Sequence, residues 1–280
     1  MILFKRAIDI TNHLVNLKEK GGLIGFVPTM GALHRGHLSL LNESKKMNTC
    51  TVCSIFVNPT QFNDTTDFNN YPSSLEKDID HLEKAGCDIV FLPSVSEIYP
   101  DGLLHTKKYE LGYIETVLEG QYRPGHFQGV CQVVHRLLSI IQADQLYLGQ
   151  KDYQQCMVIK KLIELEHIQS KINICPTLRE TDGLAMSSRN VRLTEPYRKQ
   201  ALKIAETLSF LKTNLTPGDI NTLKQTAITN LTKAGFKVDY LDIARATDLD
   251  IIDQWDGHTK TLALVAASID NVRLIDNMLL

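Results

Sequence analysis

Charge of one sign is missing from this sequence. Thirty Lys and Arg stand against 32 Asp and Glu, a formal net charge of −2 over 280 residues. There is no global basic field, and general nucleic-acid affinity is not expected. Long apolar runs are missing too: none approaches the roughly 20 residues that cross a bilayer. The opening MILFKRAIDITNHLVNLKEK is interrupted at Lys5, Arg6 and Asp9 before a secretory h-region develops. Ile8, Thr11 or Asn12 and Val15 read instead as one side of an amphipathic surface helix. The expectation is a soluble, cytoplasmic protein without a membrane partner. Cysteine is sparse, with six residues at 50, 53, 87, 131, 156 and 175. CTVC has C-x-x-C spacing, but odd spacing in a strand sends Cys50 and Cys53 to opposite faces. No second C-x-x-C or His pair completes a zinc site, so reduced, buried thiols are expected. Repeats and low-complexity tracts are also absent.

What remains is ordinary globular composition, 43% hydrophobic and 22% charged, in a chain long enough for one large or two modest domains. From Gly22 to about Cys175, apolar runs alternate with helical patterns. LIGFV (23–27) precedes HLSLLNESKKM, and TVCSIFV (51–57) follows it. SLEKDIDHLEKAG reads as a helix closed by Gly86, and DIVFLP (88–93) is the next strand. GVCQVVHRLLSIIQA has the 3.6-residue period; DQLYLG (144–149), a helix over roughly 152–166 and KINICPT (171–177) complete the series. Strands apolar on both faces and separated by helices predict a doubly wound parallel α/β sheet, Rossmann-like in plan, over residues 1–177. Its ligands gather beyond the carboxyl ends of the strands. After Arg192 the rhythm changes. EPYRKQALKIAETLSFLKTN reads as one long helix, TPGD as a turn and TLKQTAITNLTKAG as a helix closed by Gly235. VDYLDIA, TLALVAASI and VRLID read as strands, so residues 178–280 form a smaller C-terminal α+β lid domain.

Four segments carry chemistry, each at a predicted strand end or at the junction of the two domains. In PTMGALHRGH (28–37), Gly31 and Gly36 allow close backbone approach, and the helix that follows points N–H groups and a partial positive charge at its guest. Phosphate suits that place, with His34 and His37 as donors, more strongly if charged. A zinc reading lacks the H-E-x-x-H helix and a third ligand, while a loop that merely contains histidines stays open. In FVNPTQF (56–62), Pro59 stops the ladder and exposes the amides of Asn58 and Gln61; the same dipeptide is also a common turn. In LGQKDYQQ (148–155), Lys151 at a positive helix end calls for a compensating anion, unless it is simply solvated. Asp152 suits a helix start or a ribose hydroxyl, and Gln155 shares that face. In DGLAMSSRN (182–190), small hydroxyls and an arginine offer phosphate donors on what is otherwise an ordinary loop. There is no Walker A element, G-x-G-x-x-G after the first strand, or G-x-S-x-G elbow.

PTMGALHRGH, SIFVNPTQF, RPGHFQGV, LGQKDYQQ, TLRETDGLAMSSRN and VRLIDN, in that order, resemble the successive motifs of the pantothenate synthetase (pantoate–β-alanine ligase) family. H-x-G-H resembles the HIGH-type signature of the wider nucleotidyltransferase superfamily, and MSSRN stands where class I aminoacyl-tRNA synthetases carry a KMSKS-type loop. The resemblance implies an ATP-dependent ligase that adenylates (R)-pantoate, releasing pyrophosphate. β-Alanine then displaces AMP to give pantothenate on the route to coenzyme A. It implies that Met30, Gly31, Ala32, Leu33, His34, Arg35, Gly36 and His37 cradle ATP, with His37 as proton donor and His34 beside it. Asn58, Gln61 and Gln155 would serve pantoate, with Gln61 also near β-alanine. Gly149, Gln150, Lys151 and Asp152 would bind ATP, Lys151 acting at phosphate. Leu178 would meet adenine through its backbone, and Met186, Ser187, Ser188 and Arg189 would close over the triphosphate. Mg²⁺ would bridge phosphate oxygens largely through water, with no direct protein ligand assigned, and the assembly would be a homodimer. Arg123 and His126 are second-tier residues for loop ordering. Thr66 and Ser73 depart from the family's usual Glu and Arg. Another adenylyl-transferring enzyme of the superfamily, or a nucleotide sensor without catalysis, would keep the cradle but not need Gln61 and Gln155.

Overall fold

The computed structural model describes residues 1–63, 68–69, 71–72, 74–103 and 106–280; Thr66 and Ser73 lie outside them. The chain forms two compact units, Met1–Gly149 with Gln155–Pro176, and Gln150–Gln154 with Thr177–Leu280.

The larger unit is built on six strands: β1 (Ile2–Phe4), β2 (Ile24–Thr29), β3 (Cys50–Ile55), β4 (Ile89–Phe91), β5 (Gln145–Gly149) and β6 (Lys171–Cys175). Their order is β1-β4-β3-β2-β5-β6, with every pairing parallel. Parallel strands need crossovers. Helices supply most of them here: α1 (Ala7–Glu19), α2 (Arg35–Met47), α3 (Leu75–Lys84), α4 (His126–Ile141) and α5 (Tyr153–Leu165). Phe26, Val27, Val52 and Cys53 have no exposed surface, as expected of a sheet covered on both faces. β2 lies between β3 and β5, where the winding reverses. The switch point is therefore beyond Thr29 and Gly149. β2 pairs with β3 along six residues but with β5 only at Gly25 and Phe26. Pro28, with no N–H to donate, lies just past the point where the β5 ladder stops, which leaves the two strands unpaired toward the crevice.

The smaller unit holds an antiparallel sheet of β8 (Lys237–Arg245), β10 (Thr261–Ile269) and β11 (Val272–Leu279) in the order β11-β10-β8, beside a two-residue pair of β7 (Gly218–Asp219) and β9 (Gln254–Trp255). Helices α6 (Leu202–Asn214) and α7 (Asn221–Lys233) cover the larger sheet. Leu208, Leu211, Ala227, Leu231, Ile243 and Val265 form its fully buried core.

The α/β plan and the antiparallel C-terminal sheet agree with expectation, and α3 and α7 end before Gly86 and Gly235. Two local readings need correction. The face of α1 that packs inward is Ile10 and Leu14, while Ile8 and Val15 are exposed. The unexpected edge strand β1 draws the chain start into the sheet ahead of α1. The long helix after Glu195 is two, Glu195–Gln200 and α6: Ile204 N–H bonds Ala201 C=O (3.2 Å), an i→i+3 tightening at a fully buried alanine. All six cysteines are buried and free.

Candidate active site

The loop leaving β2 is fastened from below. Asp78, buried in the first turn of α3, accepts the N–H of Ala32 at one carboxylate oxygen (2.8 Å) and that of Leu33 at the other (2.7 Å). Gly31 N–H reaches Thr29 Oγ1 (3.3 Å), whose hydroxyl donates to Ser54 C=O (2.7 Å). These bonds hold a backbone that would otherwise relax, because Gly31 and Ala32 both have positive φ (81° and 48°). Glycine is at ease there, whereas alanine is strained by about 1–3 kcal/mol.

The loop runs into the N-terminus of α2, and the two histidines cap it. His34 Nδ1 accepts Gly36 N–H (3.1 Å), while His37 Nδ1 accepts His34 N–H (3.3 Å). The rings lie 4.1 Å apart, tilted by 34°. This reciprocal arrangement is that of a Ser-x-x-Glu capping box, made here from imidazoles. A nitrogen accepting an N–H carries no proton, so each neutral ring bears its hydrogen on Nε2. Both Nδ1 atoms are thus committed to capping the helix.

Asn58 caps a single 3-10 turn, Pro59–Gln61, that Gln61 ends, and both are buried. Asn58 Nδ2 donates to Gln61 Oε1 and to Gly129 C=O (both 3.1 Å), and Gln61 Nε2 donates to Met30 Sδ (2.9 Å). The FVNPTQF turn and the loop after β2 therefore meet within the larger unit. From α4, His126 Nδ1 bonds Gln61 C=O (2.8 Å), while Arg123 reaches both that carbonyl (3.4 Å) and His126 Nε2 (3.2 Å). Arg123 and His126 thus hold the turn's backbone. Gly129 is there because the turn lies against it: a Cβ would come within 2.4 Å of Thr60 C=O and 2.8 Å of Gln61 Cα.

In the smaller unit, Gln150–Asp152 form a 3-10 turn tied to β11. Asn277 Nδ2 donates to Gln150 C=O (2.9 Å) and Lys151 C=O (2.8 Å), and Gln150 Nε2 returns a bond to Asn277 Oδ1 (3.3 Å). Lys151 Nζ is 3.7 Å from Asp152 Oδ1. Arg179 makes a two-pronged pair with the buried Asp276 (2.7 and 3.1 Å). Leu178 C=O accepts Met186 N–H (3.0 Å), and an antiparallel bridge joins Arg179 to Ala185. Ser187 caps the 3-10 turn Ser188–Arg192 by accepting Arg189 N–H (3.3 Å). Gly149 ends β5 in the larger unit, where Gln155 lies in the first turn of α5.

The profile of a family described as Pantoate-beta-alanine ligase matches residues 3–279. The chain belongs to that family. Pantoate-beta-alanine ligases are ligases, and so is this protein. Its sequence is 42% identical over 277 residues to the pantothenate synthetase of Cytophaga hutchinsonii, covering 96% of this chain and 95% of that one. It is 43% identical over 275 residues to that of Acetivibrio thermocellus, covering 97% and 96%. Among solved structures, the pantothenate synthetase of Thermus thermophilus superposes with a TM-score of 0.89 at 35% identity, covering 99% of both chains. The ligase of Francisella tularensis, solved with β-γ ATP and β-alanine, gives 0.85 at 40% identity, covering 100% of this chain and 97% of that one.

The residues that sequence reasoning missed in this pantoate-beta-alanine ligase are those that hold others in place. Asp78 looks like any charged residue of a helix until α3 is folded under the loop. Tyr99, whose hydroxyl donates to Asn58 Oδ1 (2.7 Å), lies in a segment without a motif. Asn277 belongs to VRLIDN, which signalled a family likeness but no contact. Among the described residues, no three His, Cys, Asp or Glu side chains are grouped to hold a metal ion.

Proposed function

We propose that the protein joins (R)-pantoate to β-alanine through pantoyl adenylate, releasing pyrophosphate and then AMP. The observation that carries this reading is the pair of histidines that cap the N-terminus of α2 beyond β2, their rings 4.1 Å apart. A carboxylate does not react with an amine until one of its oxygens leaves easily. Attack of the pantoate carboxylate on the α-phosphorus of ATP breaks the bond to pyrophosphate and makes that leaving group. The β-alanine nitrogen then attacks the acyl carbon, loses a proton, and AMP departs with the electron pair. The protein's work is alignment and neutralisation of phosphate charge.

In this reading the loop Met30–His37 takes the phosphates in the larger unit, with His37 and His34 donating from Nε2. Gln61 and Gln155 hold pantoate, Asn58 shapes that pocket, and Gln61 also meets β-alanine. Gly149 offers backbone to ATP. In the smaller unit Lys151 neutralises phosphate, Gln150 and Asp152 complete the nucleotide contacts with Asp152 at ribose, Leu178 meets adenine, and Met186, Ser187, Ser188 and Arg189 act on the triphosphate. Mg²⁺ enters with ATP as part of the substrate, held by phosphate oxygens; Asp78 has both its oxygens committed to backbone. A cytoplasmic homodimer belongs to the same reading.

Isotope exchange between pyrophosphate and ATP tests the chemistry. Exchange that needs pantoate but not β-alanine is the expected result. Exchange driven by an amino acid or a mononucleotide instead would overturn it.

A further inference from the structure

The amide of Gln61 has two ends, and a substrate oxygen acting as acceptor responds to them in opposite ways. Its NH₂ attracts such an oxygen and its C=O repels a carboxylate, so the direction in which the amide is turned matters as much as its position. The surroundings determine that direction through groups whose polarity is not in doubt.

Asn58 comes first. The backbone N–H of Thr60 can only donate, and it points at Asn58 Oδ1 (3.4 Å). The backbone C=O of Gly129 can only accept, and it faces Asn58 Nδ2 (3.1 Å). The side-chain amide is thus fixed in one sense, oxygen toward Thr60 and nitrogen toward α4. The Tyr99 hydroxyl adds the shortest of these contacts, donating to Asn58 Oδ1 at 2.7 Å. Thr60 Oγ1 stands beside both, 3.1 Å from Asn58 Oδ1 and 3.0 Å from Tyr99 Oη. Burial raises the Tyr99 pKa, which keeps the phenol protonated and able to donate. With one Nδ2 hydrogen on Gly129, the other goes to Gln61 Oε1 (3.1 Å). Gln61 must accept there, so its NH₂ faces the other way, to Met30 Sδ (2.9 Å). A thioether is a weak acceptor. A carboxylate or hydroxyl oxygen arriving at that face displaces it readily.

We propose that Tyr99 is a positioning residue for substrate recognition, acting through Asn58 to present the NH₂ end of the Gln61 amide to an oxygen of pantoate. This rests on the reading that Gln61 contacts pantoate. It goes further by assigning a polarity to that contact and a role to a residue that touches no substrate. In this arrangement Asn58 is spent on protein groups, and its effect on the substrate passes through Gln61.

Steady-state kinetics on the full-length protein test it. Tyr99→Phe keeps the buried ring and removes only the donor. The pantoate KM should rise about three- to ten-fold, the range that one neutral hydrogen bond supplies, with ATP KM and kcat little changed. Asn58→Asp keeps the shape but cannot donate to Gln61, and should raise the pantoate KM further. Both effects should vanish in a Gln61→Ala background, because nothing is left to orient. A pantoate KM unmoved by Tyr99→Phe overturns the proposal, as does an equal rise in both KM values or the same rise with Gln61 already removed. If Gln61→Ala alone leaves the pantoate KM unchanged, the assignment of Gln61 falls first and the relay falls with it. Should Asn58→Asp fail to fold, the Tyr99→Phe and Gln61→Ala pair decides the matter alone.

Discussion

Asp78→Asn is the sharpest perturbation available. Each Asp78 oxygen takes one backbone N–H of the loop, and hydrogen bonds to a charged acceptor contribute about 1.5–3 kcal/mol each. Asparagine keeps one oxygen and turns an NH₂ toward the other N–H. One bond is lost, and a donor is left facing a donor in a buried place. The net cost is about 2–4 kcal/mol. At roughly 2–4 °C per kcal/mol for a chain of this size, the melting point should fall by about 5–15 °C. Activity should fall separately. Ala32 sits at a φ of 48°, and its strain of about 1–3 kcal/mol pulls the loop out of shape once the carboxylate no longer holds it. His34 lies two residues on, and a displacement near 1 Å costs about 100-fold in rate. A fall in kcat of about 10- to 100-fold is therefore expected in a pyrophosphate-release assay. Asp88→Asn is the control: Asp88 accepts Thr51 N–H at the start of β3 (2.8 Å), away from the loop. It should lower the melting point and leave kcat alone. Wild-type kcat in Asp78→Asn, with the melting point lowered as calculated, would falsify the claim that this carboxylate shapes the site.

The two roles of His34 separate by substitution. His34→Asn retains a helix-capping acceptor and should keep the roughly 1 kcal/mol that His34→Ala loses, yet both should lose about 100-fold or more in adenylate formation; normal turnover in His34→Asn would make the ring a cap and nothing else. Lys151→Ala should slow the first step at unchanged stability. Asn277→Ala, which frees the carbonyls of Gln150 and Lys151, should reproduce part of that loss and add little to it in the double variant; full additivity in a rapid-quench measurement would show that Asn277 does not act through Lys151. Burial pushes the thiol of Cys50 up to about 12 and that of Cys87 to about 11. The folded state thus holds protons that the unfolded chain releases near pH 9, and stability should decline from about pH 9 upward, having been full below it. The native protein should not react with a thiol reagent at pH 8 until denaturant is added, and prompt reaction of two or more thiols would contradict the burial.

What was legible in the sequence was whatever is written locally. The apolar runs of β2, β3 and β5 and the period of α4 are set by side chains within one element, and PTMGALHRGH announces a strand end, a positive-φ turn and a helix start in ten residues. β1 was not legible because three residues carry no period, and its partner is Ile89–Phe91. The turn at Ala201 that divides the helix leaves no mark in the apolar pattern. Among the candidate residues, His34, Gln61 and Lys151 could be picked out because their chemistry is exceptional for their positions. Asp78, Tyr99 and Asn277 could not, because Asp78 acts on backbone 45 and 46 residues away, Tyr99 on a side chain 41 away and Asn277 on backbone 126 and 127 away. Such distances close only when the chain folds.

Pro28 has a further consequence for how the protein is made. β1 to β4 are all present once Phe91 has been synthesised, but the other edge of β2 waits for Gln145 and Leu146. At about 5–20 residues per second that wait lasts seconds. During it, IGFVPT is an apolar strand with an open side, the kind of edge that templates pairing with a neighbouring chain. A proline inside that edge interrupts the row of donors. The residue just beyond the last β2–β5 pair of the finished enzyme also guards the nascent one against its neighbours.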